Sequence, residues 1–222
     1  MNAAWLVGND VVDLRAAAAA PGSGRPRFLA RVCDEAEQAR VGAAADPATA
    51  LWTLFAAKEA AYKVVAKLRP QPVFAHRRYR VAADHATIDA DGVPLALWID
   101  VDRAAGWVHA LASTRDVRPL AAVEALADLD AQVPAGAPGH GARRLVTALV
   151  AARLGVAGGE LAIERPVLPG AWDGAGPPVI VHGGRPLGVD VSLSHDGRLV
   201  AGAAALAAAS RPDGAGLVPD PR

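Results

Sequence analysis

Two short segments carry most of the chemistry in this chain. Gly8-Asn9-Asp10-Val11-Val12-Asp13-Leu14 sets an acid inside an apolar run, and Phe55-Ala56-Ala57-Lys58-Glu59-Ala60-Ala61-Tyr62-Lys63 sets an acid between two lysines. A carboxylate among Val7, Val11 and Val12 is costly unless something compensates its charge, and a cation does so. Asp10 and Glu59 offer oxygen alone. Oxygen ligation suits a hard ion such as Mg²⁺, which takes one or two carboxylates and completes its shell with water and substrate phosphate. Lys58 and Lys63 add ammonium groups for phosphate oxygens. The set fits the handling of a pyrophosphate ester. On a helix, Glu59 and Lys63 share a face. The same spacing describes an ordinary surface ion pair, worth a few tenths of a kcal/mol. Trp52, Phe55 and Tyr62 nevertheless mark a packed helix, on which charged groups need partners.

Three further groups bear on chemistry. Ser194-His195-Asp196 is not a hydrolase triad, because adjacent residues at a strand end cannot line up nucleophile, base and orienter, and no G-x-S-x-G elbow is present. Ser194 and His195 at a strand exit suit hydrogen bonds to a phosphate or ribose, and Asp196-Gly197 also suits a hairpin turn. Arg143 and Arg144 open a helix after a Gly-rich stretch, a placement that suits phosphate as well as a solvated face. No Walker A loop and no G-x-G-x-x-G fingerprint occurs, which counts against nucleoside-triphosphate and dinucleotide folds.

These groups need elements to hold them. Residues 6–14 read as a strand and its exit, and residues 27–41 as a helix with Phe28, Leu29, Val32 and Ala36 on one side. Asp46-Pro47 is a helix start, an N-cap followed by proline at the first helical position. That helix runs to about Leu68, before Pro70, with Trp52, Phe55, Tyr62 and Val65 anchoring it to a sheet. Residues 76–82, 95–101 and 107–113 read as strands, with turns at Asp91-Gly92 and Ala105-Gly106. Residues 118–133 read as a connecting helix and 134–141 as a linker. A helix at 142–154 follows, then strand-like runs at 160–165, 179–182, 189–194 and 199–206. Residues from Ser210 onward read as a loose tail.

The 222 residues suffice for a substantial core. Lys+Arg and Asp+Glu both number 23, which argues against a general nucleic-acid binder. Cys33 is the only cysteine, so neither an intramolecular disulfide nor a cysteine zinc site forms. It is expected to be half-buried rather than nucleophilic. Residues 3–7 are too short for a secretory leader and have no basic residue before them. No apolar run reaches membrane-spanning length. The expectation is a cytoplasmic protein with no membrane partner.

Taken together, the motifs resemble the 4′-phosphopantetheinyl transferase superfamily. Gly8-Asn9-Asp10 and the segment from Phe55 to Lys63 are similar to its Gly-x-Asp and Trp/Phe-x-x-Lys-Glu-Ala/Ser-x-x-Lys motifs. The stretch 27–32 with Glu37 is similar to the helix between them, and Ser192-Leu193-Ser194-His195 to its Ser-x-Ser-His element. The resemblance implies an α+β fold, a pseudo-dimer of two holo-acyl-carrier-protein-synthase-like units, each a helix packed on a small, mainly antiparallel sheet. Residues 1–119 form the metal-binding lobe, 120–138 the connection, 139–209 the Ser-His lobe and 210–222 the tail. This lobe order is permuted relative to the surfactin type. In the first unit, residues 108–113 stand where a Ser-His strand would be. In the second, residues 142–154 stand where Lys-Glu would be. Three departures stand out. Val12 replaces a second acid of the surfactin type, Asn9 an apolar residue, and Gly176-Pro177-Pro178 a Gly-Lys-Pro, for whose lysine Arg185 is a substitute. Asp13 lies on the opposite strand face from Asp10.

The resemblance further implies transfer of 4′-phosphopantetheine from coenzyme A to a serine of an apo acyl or peptidyl carrier protein, with release of 3′,5′-ADP. Asp10 and Glu59 would hold Mg²⁺, with Mn²⁺ also admissible. Lys63 and Lys58 would meet phosphate, and Ser194, His195 and Arg144 would bind the 3′-phosphate region of coenzyme A. The base remains open among a metal-bound water, Glu37 and Glu59. Arg15, Arg25, Arg27 and Arg31 offer a surface for an acidic carrier helix, or simply a solubilising face. A self-contained pseudo-dimer implies a monomer. The alternative is a catalytically degenerate module of the same fold that binds coenzyme A or a carrier.

Overall fold

Alternation along β1 (Val7–Asp13) sends Gly8, Asp10 and Val12 to one face and Val7, Asn9, Val11 and Asp13 to the other. A computed structural model describes residues 4–19, 26–69, 73, 75–126, 138–169 and 174–207. After β1 come the helices α1 (Leu14–Ala19), α2 (Pro26–Val32), α3 (Glu35–Ala43) and α4 (Pro47–Leu68). Then follow β2 (Tyr79–Val81), β3 (Thr87–Ala90), β4 (Val93–Asp102) and β5 (Trp107–Ser113). These strands form an antiparallel sheet in the order β1-β5-β4-β3-β2. The chain continues through β6 (Pro119–Ala125), α5 (Pro138–Leu154), β7 (Leu161–Glu164), β8 (Val179–His182), β9 (Arg185–Asp196) and β10 (Leu199–Ala207). The second sheet, also antiparallel, has the order β6-β10-β9-β8-β7. In both, the first strand of the set lies at the edge beside the last.

Each sheet has its own helix. Ala56, Ala57, Ala60 and Ala61 of α4 are fully buried and cluster with Val12, Leu95 and Ala110 of the first sheet. Small side chains let the helix lie close. Gly8 completes the approach, since a Cβ there would collide with the carbonyl oxygen of Ala60. Val146 and Val150 of α5 pack with Val191 and Ala204 of the second sheet. The remaining faces of the two sheets meet each other. Val7 and Leu111 pack with Ala203 and Ala205, and Val11 packs with Leu199 and Ala201.

Several expectations need correction. Residues 27–41 are two helices, because Asp34 and Glu37 form a capping box that starts α3 anew. Trp52 and Phe55 pack on Phe28 of α2, at ring distances of 5.5 and 6.1 Å, rather than anchoring α4 to the sheet. The connecting helix at 118–133 is absent where described: residues 119–125 form β6, paired along β10. Helix-favouring alanines yield there to an available sheet edge. Pro138 to Gly141, expected as linker, form the first turn of α5. By sheet order, the counterpart of β9 is β4, not the run 108–113. Cys33 is fully buried, and burial pushes its thiol up to about 11. The tail from Ser210 and residues 134–137 lie outside the described residues. Among the described residues, no helix is long and apolar enough to cross a membrane.

Candidate active site at the seam between the sheets

The candidate site forms where the edge of β1 meets β9. Asp46 caps α4 by accepting from the Thr49 amide at 3.0 Å, and Pro47 follows at the first helical position. The Thr49 hydroxyl also donates to Asp46, holding that carboxyl down at about 2. From this fixed start, α4 carries Glu59 and Lys63 over the face of β1 that bears Gly8 and Asp10. Lys63 Nζ donates to Asp10 Oδ1 at 2.9 Å and to the Asn9 carbonyl at 2.7 Å. It also reaches the Leu193 carbonyl at 3.4 Å, across the seam. The Ser194 hydroxyl of β9 donates to the same Asp10 Oδ1 at 2.9 Å.

Asp10 is 13% exposed. Burial pushes its pKa up, Lys63 and Ser194 pull it back, and the nearby charge of Glu59 pushes it up again. Asp10 and Lys63 thus share a partly enclosed place between strand and helix, close enough to Glu59 to feel its charge. Glu59 Oε1 lies 3.5 Å from His76 Nε2, and the His76 ring stacks on Phe55 at 5.2 Å. Among the described residues, no hydrogen bond reaches Asp10 Oδ2, and no cluster of three His, Cys, Asp or Glu side chains is present. An open carboxylate oxygen beside a second carboxylate fits a hard cation that draws its other ligands from water and phosphate.

Of the residues singled out in the sequence, the fold gathers Asp10, Glu59, Lys63 and Ser194. It does not bring Lys58 to them. Lys58 is fully buried, with Nζ 2.5 Å from Glu37 Oε2 and 2.7 Å from the Val32 carbonyl. Glu37 is equally enclosed and accepts from the Val81 and Asp34 amides as well. The pair staples α3 to α4, away from the seam. His195 pairs with Val200, whose side chain packs on Ala142 and Leu145, so His195 stands on the α5 side of the sheet. Ser194 points the other way. His195 is exposed, as is Arg144 on α5. Arg143 bonds the Gly139 carbonyl within its own helix, and Arg185 opens β9 at the end far from His195. Val12 is buried in the core of the first unit. Arg27 and Arg31 are exposed on α2, Arg15 bonds the Ala104 carbonyl, and Arg25 lies outside the described residues.

The pairing of β9 side chains with the amides of β1 was not legible. Asp190, Ser192, Ser194 and Asp196 of β9 accept the amides of Val7, Asn9, Val11 and Asp13 in turn, at 2.7, 3.0, 3.2 and 2.8 Å. Lys67, one turn beyond Lys63, ties Asp190 Oδ2 and the Val7 and Val191 carbonyls together. Asp13 faces away from Asp10, as expected, and pairs with Arg198 at 3.3 Å. Alternation of Asp190, Ser192, Ser194 and Asp196 was the one available signal: every second polar residue on a strand needs a polar neighbour. Two cavities, of about 520 and 320 Å³, lie elsewhere and share no residue with this cluster.

Residues 6–110 match the family model of the 4′-phosphopantetheinyl transferase superfamily. The match runs from β1 through α4 and into β5, just under half of the chain, and this stretch is similar to that superfamily. The family acts on carrier proteins with coenzyme A as substrate. No curated protein and no solved structure matches the chain.

Proposed function

We propose that this protein transfers 4′-phosphopantetheine from coenzyme A to a serine of an apo carrier protein, releasing 3′,5′-ADP. The observation that carries the reading is the convergence of Asp10, Glu59 and Lys63 at the seam with β9, within the stretch that matches the family. Asp10 Oδ2 and Glu59 would hold Mg²⁺, which offsets charge on a diphosphate and its leaving group. Lys63, 28% exposed, would turn its ammonium to a phosphate oxygen as charge builds there. His195 and Arg144, both exposed, would meet the nucleotide end. Of the side chains considered as base, Glu37 is sealed in with Lys58, which leaves Glu59, 24% exposed.

The shared strand order supports reading the two sheets as copies of one unit, the first carrying the metal residues and the second the Ser-His edge. One site per chain follows, and a monomer suffices for activity. The test is transfer itself. Apo carriers incubated with this protein, coenzyme A and Mg²⁺ gain one phosphopantetheine, and Glu59→Gln removes the gain. Cleavage of coenzyme A without any carrier would mark a hydrolase instead.

A further inference from the structure

We infer that Ser194 is a positioning residue for the carboxylate of Asp10 and does not bind the nucleotide phosphate. The inference rests on the metal reading above and concerns how the chain prepares that site.

Four side chains of β9 cap four outward amides of β1, at every second residue of each strand. This ladder satisfies an edge that would otherwise lie unpaired against the second sheet. Three of its rungs make no bond to Asp10. The Ser194 rung does. Its oxygen accepts the Val11 amide at 3.2 Å, and its single proton goes to Asp10 Oδ1 at 2.9 Å. A serine hydroxyl has one donor. With that donor committed, it has none for a phosphate oxygen unless it releases Asp10. Its burial says the same: Ser194 is 6% exposed and faces the first sheet, whereas His195 faces outward beside α5.

The consequence lies in the orientation of the carboxylate. Oδ1 is held by Lys63 Nζ from the helix and by Ser194 Oγ from the neighbouring sheet, both at 2.9 Å. Two donors on one oxygen fix the plane of the group and leave Oδ2 free of hydrogen bonds among the described residues. Lys63 alone, on a four-carbon stem, constrains the group less. The second sheet therefore reaches into the metal site through one hydroxyl, and neither unit completes that site by itself.

The test compares three variants of the full chain by Mn²⁺ binding to the protein–coenzyme A complex, read from the electron paramagnetic resonance of free Mn²⁺, and by calorimetry of coenzyme A binding in EDTA. Ser194→Ala should weaken Mn²⁺ by about 10- to 100-fold, the usual cost of losing a partner behind a metal ligand, while coenzyme A affinity in EDTA stays within about twofold of the wild type. Ser194→Thr, which keeps the hydroxyl, should restore Mn²⁺ affinity. Ser192→Ala removes a rung without touching Asp10 and should leave it unchanged. Equal loss of Mn²⁺ in Ser192→Ala and Ser194→Ala would overturn the inference in favour of the ladder as a whole. Loss of coenzyme A affinity in EDTA with Mn²⁺ unchanged would overturn it in favour of a phosphate ligand. Either result leaves the metal reading standing. Absence of Mn²⁺ binding in the wild type would overturn both.

Discussion

At the scale of residues, the two lysines of the Lys-Glu motif part company. Lys63 reaches Asp10 at the seam, whereas Lys58 is fully buried against Glu37. Removing one partner of such a pair strands the other's charge in the interior, at a cost of about 3–5 kcal/mol. Lys58→Ala should therefore lower unfolding stability by about that amount in urea titrations, while the folded fraction keeps its affinity for coenzyme A. Loss of that affinity at unchanged stability would make Lys58 a phosphate ligand after all. In the sequence the two lysines looked alike, because their difference depends on Glu37, 21 residues upstream. Asp34-x-x-Glu37 was readable as a capping box. Its second carboxylate oxygen, used for the Val81 amide, was not. Asn9 had no account from sequence. In the structure its amide lies 3.3 Å from His109 Nε2, between the two sheets, where an apolar residue would leave the imidazole alone.

At the scale of elements, the Gly-x-Asp motif is a packing device as much as a chemical one. Gly8 lets β1 lie against Ala60, and Asp10, two residues on and on the same face, then meets Lys63. Gly8→Ala should push the strand off α4, with an overpacking cost of about 1–3 kcal/mol and a larger loss of transfer than of stability. Full activity in that variant would contradict the role given to the close approach. The long, capped α4 was legible to the residue, and so were β5 and β8, each bounded by turn residues. The elements missed outright were α1 and β3, six and four residues long and too short to show a period. The element mistaken was β6, whose Leu-Ala-Ala-Val-Glu-Ala composition favours a helix. Its strand form is set by pairing to β10, from residues 74 to 88 positions away, which no local pattern reports.

At the scale of the whole molecule, the two sheets meet through apolar layers, a ladder of polar side chains along β1, and the buried pair Asn9 and His109. Burial, aided by the charges of Lys63 and Arg118, holds His109 down at about 3 from its ordinary 6.5. Unfolded, it takes up a proton as the pH falls through 6.5; folded, it stays neutral until about 3. Stability from this group is thus complete above 6.5 and is lost as the pH falls toward about 3. Between about pH 7.5 and about pH 5 the wild type should lose about 2 kcal/mol more than His109→Gln in urea unfolding. Equal losses would place His109 in contact with water. The same meeting of sheets brings Ser194 of the second to Asp10 of the first, which is why a site split across 184 positions of sequence forms at all. Transfer of phosphopantetheine is read directly from the intact mass of apo carrier proteins after incubation with this protein, coenzyme A and Mg²⁺, with and without EDTA. A gain of one phosphopantetheine per carrier, lost with EDTA and with Glu59→Gln, is the result this account predicts. An unchanged mass on acyl and peptidyl carriers alike, from a protein that still binds coenzyme A, would contradict it and leave a binding module.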